Sequence, residues 1–303
     1  MTTTDLLPLA LETMAALAEH YNPAMQQVRD DVGLLPPDWG PVFTALGADP
    51  QPVTSAYLVE QAPYISLAAA EDRLAGAASR GFLEPAPGRA YRLSDRGRQM
   101  VRRSLDAAWE RMAALEPIPQ ADLRRLAELL RRLVEASAAA PEPLDKRHLA
   151  ASRTVDPGQD APVVALIDQY LTDLVMFRDD VHPAAWRAYD VDGPAWEIFT
   201  MIWNGEATTA EALAQRLEGR RHTPDALAQA LRGLSARGWI AEDGGAYRAT
   251  EQGSRLREEA ERETDRLFYA PWASLSEPET DELRGLLTRL RDESHAVSAH
   301  SSG

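Results

Sequence analysis

The chain has 303 residues, 47 acidic against 32 basic side chains, a formal net charge of −15 and no cysteine. Disulfides, thiolate metal sites and cysteine nucleophiles are therefore excluded, and the acidic balance opposes non-specific DNA binding, which draws on cations that neutralise phosphates. A hydrophobic share of 45% argues against global disorder and supports a proper core, at a length suited to two ordinary domains.

In chain order, residues 9–21 carry the apolar stripe of a helix. A short helix over 53–61 follows, then a second over 66–80, a hairpin over 82–93, a long helix over 94–115 and a closing helix over 120–136. The next stretch has linker composition, with Ala138-Ala-Ala-Pro-Glu-Pro143, Asp145-Lys-Arg147 and Asp156-Pro-Gly158, where prolines block helix continuation. Beyond it the order recurs. Residues 163–181 read as a helix, and Gly193-Pro194 opens another that Asn204-Gly205 ends. Thr208 or Thr209 caps a short helix to Leu217, and Thr223-Pro224-Asp225 starts one that Gly238 stops. Two β runs, 239–241 and 246–249, flank the hairpin turn Asp243-Gly244-Gly245. Thr250 caps a long helix to about Tyr269, and Ser276-Glu-Pro-Glu279 begins the last. The expected division is a unit over 1–137, a linker over 138–161, a second unit over 162–295 and a disordered tail over 296–303.

Self-comparison explains the recurrence. Residues 74–83 read LAGAASRGFL and 231–240 read LRGLSARGWI, 157 positions apart. Ala90-Tyr91-Arg92 matches Ala246-Tyr247-Arg248, and Ser94-Asp-Arg-Gly97 matches Thr250-Glu-Gln-Gly253. Leu126, Leu129, Leu130 and Leu133 recur as Leu283, Leu286, Leu287 and Leu290. Arg29-Asp-Asp-Val32 also reappears as Arg178-Asp-Asp-Val181, which reads as an arginine–carboxylate pair joining the two copies. The fold class expected is mainly α with small β-hairpin wings: two winged helix-turn-helix units joined by a helical interface.

This arrangement resembles the MarR family. The resemblance rests on Arg80-Gly81-Phe82-Leu83 and Arg237-Gly238-Trp239-Ile240, on Ser94–Gly97 and Thr250–Gly253, and on the leucine-spaced helices near Leu126 and Leu283. It implies that the terminal helices build a dimer interface, here within one chain as a pseudo-dimer acting as a monomer. It also implies that the second helix of each helix-turn-helix enters the major groove, and that a ligand sits between the two regions. The implied function is a DNA-binding transcriptional regulator. The alternative is a winged-helix protein that has lost DNA binding and serves as a protein-interaction or small-molecule-binding module.

A groove-reading helix presents polar or basic residues at its N-terminal end. The first unit offers Ser66-Leu-Ala-Ala-Ala-Glu-Asp-Arg73, which is bland and acidic. The second offers Arg220, Arg221, His222 and Thr223, then Gln229, with Asp225 unfavourable. The wings contribute Arg89 and Arg92 in the first unit and Arg248 in the second. Arg220 and Arg221 are the leading phosphate contacts, with a solvated loop as the bland alternative. Trp186, Tyr189, Trp196 and Trp203 are the candidate lining for a small apolar effector, with core packing as the competing role. No catalytic residues, cofactor or metal are expected: His182 has Gly33 at its place in the other copy. No apolar run approaches the about 20 residues that span a bilayer, and Met1-Thr-Thr-Thr-Asp5 lacks the basic start of a signal peptide. The expected location is cytoplasmic, with no membrane partner.

Overall fold

The structure is a computed structural model and describes residues 6–301. It is mainly α-helical with two small antiparallel hairpins. The first half runs α1 (Leu6–Val32), α2 (Pro36–Ala48), α3 (Ser55–Gln61), α4 (Leu67–Ser79), β1 (Leu83–Ala86), β2 (Ala90–Leu93), α5 (Asp95–Ala113) and α6 (Gln120–Ala139). A short α7 (Arg147–Ser152) follows. The second half runs α8 (Val163–Trp186), α9 (Gly193–Trp203), α10 (Ala210–Arg216), α11 (Pro224–Ala236), β3 (Ile240–Asp243), β4 (Ala246–Ala249), α12 (Glu251–Tyr269) and α13 (Glu277–Ser301). The starts of α1 and α8, α2 and α9, α4 and α11, β1 and β3, and α6 and α13 each differ by 157 positions.

The recurring motifs have a backbone origin. Gly81 and Gly238 take φ of +80° and +71° just past α4 and α11, a left-handed stop that glycine adopts without a Cβ penalty. After each hairpin, Ser94 and Thr250 cap the next helix by accepting from the Gly97 and Gly253 N–H groups, both at 3.0 Å. A Cβ on Gly97 would lie 2.3 Å from the Phe82 carbonyl oxygen, and one on Gly253 2.1 Å from that of Trp239. The Ser/Thr-x-x-Gly pattern thus lets each long helix start against its hairpin's entry strand.

Two small cores fill the helix-turn-helix units, one around Leu74 and Phe82, the other around Phe199 and Leu213. A third, made of α1, α5, α6, α8, α12 and α13, joins the halves and buries Leu17, Leu126, Phe177 and Leu287. The first helix of each half lies along the last helix of the other, α1 on α13 and α8 on α6. Ion pairs border this core: Arg125–Glu282 at 2.8 Å, Arg289–Asp122 at 2.9 Å, and Arg132–Glu279. Positions 122 and 279, 125 and 282, and 132 and 289 are all 157 apart. A shift of 157 positions therefore exchanges Arg132–Glu279 with Arg289–Asp122 and maps the Arg125–Glu282 positions onto each other.

Three expectations change. The Arg29 and Arg178 tetrads are not equivalent: they differ by 149 positions, so one ends α1 while the other lies inside α8. Nor do they pair across the halves. The Arg29 guanidinium lies 4.1 Å from the Trp39 ring centroid, and Arg178 lies 3.6 Å from Glu261. Second, the 138–161 linker is fastened, because polar side chains of α8 bond to its backbone and side chains. Buried Asp180 accepts from the His148 and Leu149 N–H groups at 2.9 and 3.0 Å, and Asp173 accepts from the Ser152 hydroxyl at 2.6 Å. Third, α13 continues to Ser301 through the expected tail, of which residues 302 and 303 lie outside the described residues.

Candidate nucleic-acid interface

Side-chain caps set both helix-turn-helix motifs. Thr54 and Thr209 cap α3 and α10; Ser66 and Thr223 cap α4 and α11, accepting from the Ala69 and Ala226 N–H groups at 3.0 and 3.2 Å. Each hairpin is braced by the segment before the first of these helices, through bridges Val53–Tyr91 and Thr209–Ala246. This places α4 and α11 as the reading helices and the β1–β2 and β3–β4 turns as wings.

The wing arginines project outward. Arg89 takes φ of +57° in the first turn; Arg92 lies across from Glu84 in the register, and Arg248 across from Ala241. All three are exposed, and none forms an ion pair among the described residues. Gln229 is exposed on α11. The exposed positions of α4 are Leu67, Ala68, Glu71, Asp72, Ala75 and Ser79, which offer no cation to a phosphate.

Arg220, Arg221 and His222 are placed differently from the other candidates. They turn toward the first half and hold it. The Ser66 N–H donates to the Arg220 carbonyl at 3.0 Å. His222 Nε2 lies 2.8 Å from the Tyr64 carbonyl, and Arg73 donates to the Gly219 carbonyl at 2.9 Å. The Arg221 side chain pairs with Asp72, and that of Arg220 pairs with Glu197 at 2.8 Å. Close packing of Gly193 on Pro63 completes the latch: a Cβ on Gly193 would lie 2.2 Å from the Pro63 carbonyl oxygen. The N-terminal ends of the two reading helices are thus joined within hydrogen-bond distance. Helices that enter successive major grooves from a symmetric dimer are about 34 Å apart centre to centre. The expectation of Arg220 and Arg221 as phosphate contacts meets a competing engagement: both guanidinium groups are held by carboxylates, Arg220 half-buried and Arg221 still exposed. Sequence reasoning missed Tyr64, Ser66, Asp72 and Arg73 as partners, since nothing local marks a contact about 150 residues distant. Gly193, legible only as a helix opener, was the one available signal.

The aromatic cluster takes the core-packing role. Trp186 and Trp196 are buried and stack at 5.8 Å; Tyr189 stacks on the other partner, Trp196, at 6.1 Å. Arg257 is buried between Trp196 and Trp203, 5.1 and 5.2 Å from their centroids, and pairs with Glu261. Trp186, Tyr189 and Trp196 therefore pack on one another, and Arg257 packs on Trp196 and Trp203. Nearby, burial pushes the His182 imidazole down to about 4, so it is neutral at neutral pH. Among the described residues no group of three or more His, Asp or Glu side chains is arranged to hold a metal ion. No described helix is long and apolar enough to cross a membrane.

No curated protein and no solved structure matches the chain. A family model described as a helix-turn-helix family matches residues 89–300, more than half of the chain. With the capped helix pairs and their hairpins on both halves, that match places the protein: it belongs to the helix-turn-helix family.

Proposed function

We propose that the protein is a DNA-binding, ligand-responsive regulator of MarR type in which two winged-helix units, 1–137 and 162–295, act as a pseudo-dimer within one chain. The observation that carries this reading is the ion-pair set on the joining helices. In an isologous interface residue i meets j and j meets i, and Arg132–Glu279 with Arg289–Asp122 follows that rule about Arg125–Glu282. The cross-packing of α1 on α13 and α8 on α6 supports the same reading. Interface demand is met internally, so the active species is one chain of 33.3 kDa.

DNA contact in this reading falls to the exposed wing arginines, Arg89, Arg92 and Arg248, and to Thr223 and Gln229 on the second reading helix. The test is a titration of duplex DNA at several salt concentrations. Each of Arg89→Ala, Arg92→Ala and Arg248→Ala should lower the salt slope by about one. A perfectly palindromic footprint would contradict the reading, since the two reading helices differ in sequence.

A second reading is favoured by a specific observation. The joined helix ends and the acidic exposed face of α4 suit a module that has lost DNA binding and recognises a protein or a small molecule. Absence of DNA binding at low salt, in a protein of one-chain mass, replaces the first reading with this one.

A further inference from the structure

A groove of about 630 Å³ lies between α10, α11 and the β3–β4 hairpin. Leu217, Leu227 and Leu231, all buried, form its apolar floor. Its rim is acidic: Glu211 in the first turn of α10, Glu218 just after that helix, and Glu242 on β3 face a single guanidinium, Arg232. None of these three glutamates forms an ion pair among the described residues. Glu242 and Tyr247 are register partners on the hairpin, so both project over the groove.

The rim is not a by-product of the fold. The hairpin partners Pro85–Tyr91 stand where Glu242–Tyr247 stand in the second half. The positions matching Glu211 and Arg232, the second residue of α3 and the ninth of α4, are Ala56 and Ala75. The second half alone therefore combines an apolar floor with carboxylates that form no ion pair among the described residues, Glu242 accepting from the Tyr247 hydroxyl. Burial and the carboxylates of Glu242 and Glu211 hold the Tyr247 phenol above its ordinary value, as a negative local potential requires.

The geometry points to a binding site for one amphipathic organic cation, an ammonium or phosphonium centre carried on an apolar body. This rests on the ligand-responsive part of the reading above and names the class of ligand. The volume falls in the range of about 300–1,000 Å³ that small-molecule sites occupy. The leucine floor takes the apolar body and the rim carboxylates take the charge. A small organic anion meets the same three carboxylates and is repelled. His222 lines the groove while its Nε2 lies 2.8 Å from the Tyr64 carbonyl, so the occupant touches the turn that latches the halves.

The test is calorimetric titration of the full chain with tetraphenylphosphonium and with tetraphenylborate, two ions of one shape and opposite charge. Phosphonium should bind at one site per chain, at least about tenfold tighter than borate. Glu211→Gln/Glu242→Gln should weaken phosphonium by about tenfold and leave borate unchanged or tighter. Ala214→Trp, at an exposed lining position, should block phosphonium with unchanged circular dichroism. No phosphonium binding at millimolar concentration, equal affinity for the two ions, or full affinity in Ala214→Trp overturns the proposal. So does capture of a basic peptide without the phosphonium. Phosphonium binding with no DNA binding removes the regulator reading and keeps the site. DNA binding with no phosphonium binding does the reverse.

Discussion

Replacing Gly193 with alanine acts on the latch between the halves. The new Cβ would sit 2.2 Å from the Pro63 carbonyl oxygen, 2.7 Å from its carbon and 3.0 Å from the Pro63 Cβ. Reaching even 3.0 Å from the oxygen needs a displacement of 0.8 Å, and the obstacle is backbone rather than the tip of a flexible chain. Alanine improves helix propensity by about 1 kcal/mol at most. Overpacking of this kind costs about 1–3 kcal/mol, so the clash wins. Because Pro63 lies three residues before Ser66, the strain falls on the Ser66 N–H bond to the Arg220 carbonyl. If opening the latch becomes easier by about 1–3 kcal/mol, the Ser66 amide should exchange roughly 5- to 150-fold faster in hydrogen exchange followed by mass spectrometry. Amides in the middle of α1 and α13, remote from the latch, should not change. In the regulator reading, DNA affinity should rise as the reading helices are released. Unaltered Ser66 exchange in a folded Gly193→Ala protein would refute the argument.

Other outcomes follow from the same contacts. Gly253→Ala places a Cβ 2.1 Å from the Trp239 carbonyl oxygen, so it should destabilise by about 1–3 kcal/mol despite its helical position, read as a lower denaturant midpoint. Asp38 is fully buried, pairs with Arg80 and accepts from the Leu35 N–H at 3.0 Å; Asp38→Ala should cost about 3 kcal/mol by urea unfolding. Burial pushes the Asp168 carboxyl up to about 6, against a partial opposing effect from the Tyr21 hydroxyl bonded to it at 3.2 Å. A raised folded value means stability is fullest below about 4 and is lost as pH rises through about 6. Asp168→Asn should therefore match the parent near pH 4 and exceed it at pH 7 by up to about 3 kcal/mol; equal stability at both pH values would contradict this. The Asp180 carboxylate and the Gln61 carbonyl, outweighing burial, hold the His148 imidazole above its ordinary value. That contribution is present below about 6.5 and fades as pH rises through the folded value, so His148→Gln should flatten the stability profile above about pH 6.5.

Local chemistry made most of the fold legible. Caps at Ser94, Thr209, Thr223 and Thr250, and glycine stops at Gly81 and Gly238, act within four or five residues and sit in plain view. The leucine spacing near Leu126 and Leu283 marked the helices of the joining core in the same way. The Arg-Asp-Asp-Val recurrence misled because four residues can match without occupying equivalent turns. Long-range pairing was the harder part. Arg220 and Arg221 look alike in sequence to a solvated basic run, and only the fold reveals Glu197 and Asp72 beside them. The aromatics invited a pocket because their connector is rich in alanine and proline; buried Arg257, far along the chain, packs on Trp196 and Trp203 instead. The groove was invisible because its three glutamates lie on α10, the following turn and β3, with no shared spacing.

The packing of α1 on α13 has a consequence for synthesis. Thr13 Oγ1 reaches the Leu287 carbonyl at 3.3 Å, a contact between residues 274 positions apart. At about 5–20 residues per second, the ribosome takes roughly 15–60 s to make the intervening chain. For most of that interval α1 can pack on α5 but not on α13, so the part of its apolar stripe that α13 covers is open to chaperones and to other nascent chains. The helix-turn-helix unit over α2 to β2 closes early on local contacts, whereas the joining core forms last. Ribosome-bound chains stalled before α13 should accordingly be captured by a holdase at α1 and released once the final helix is complete.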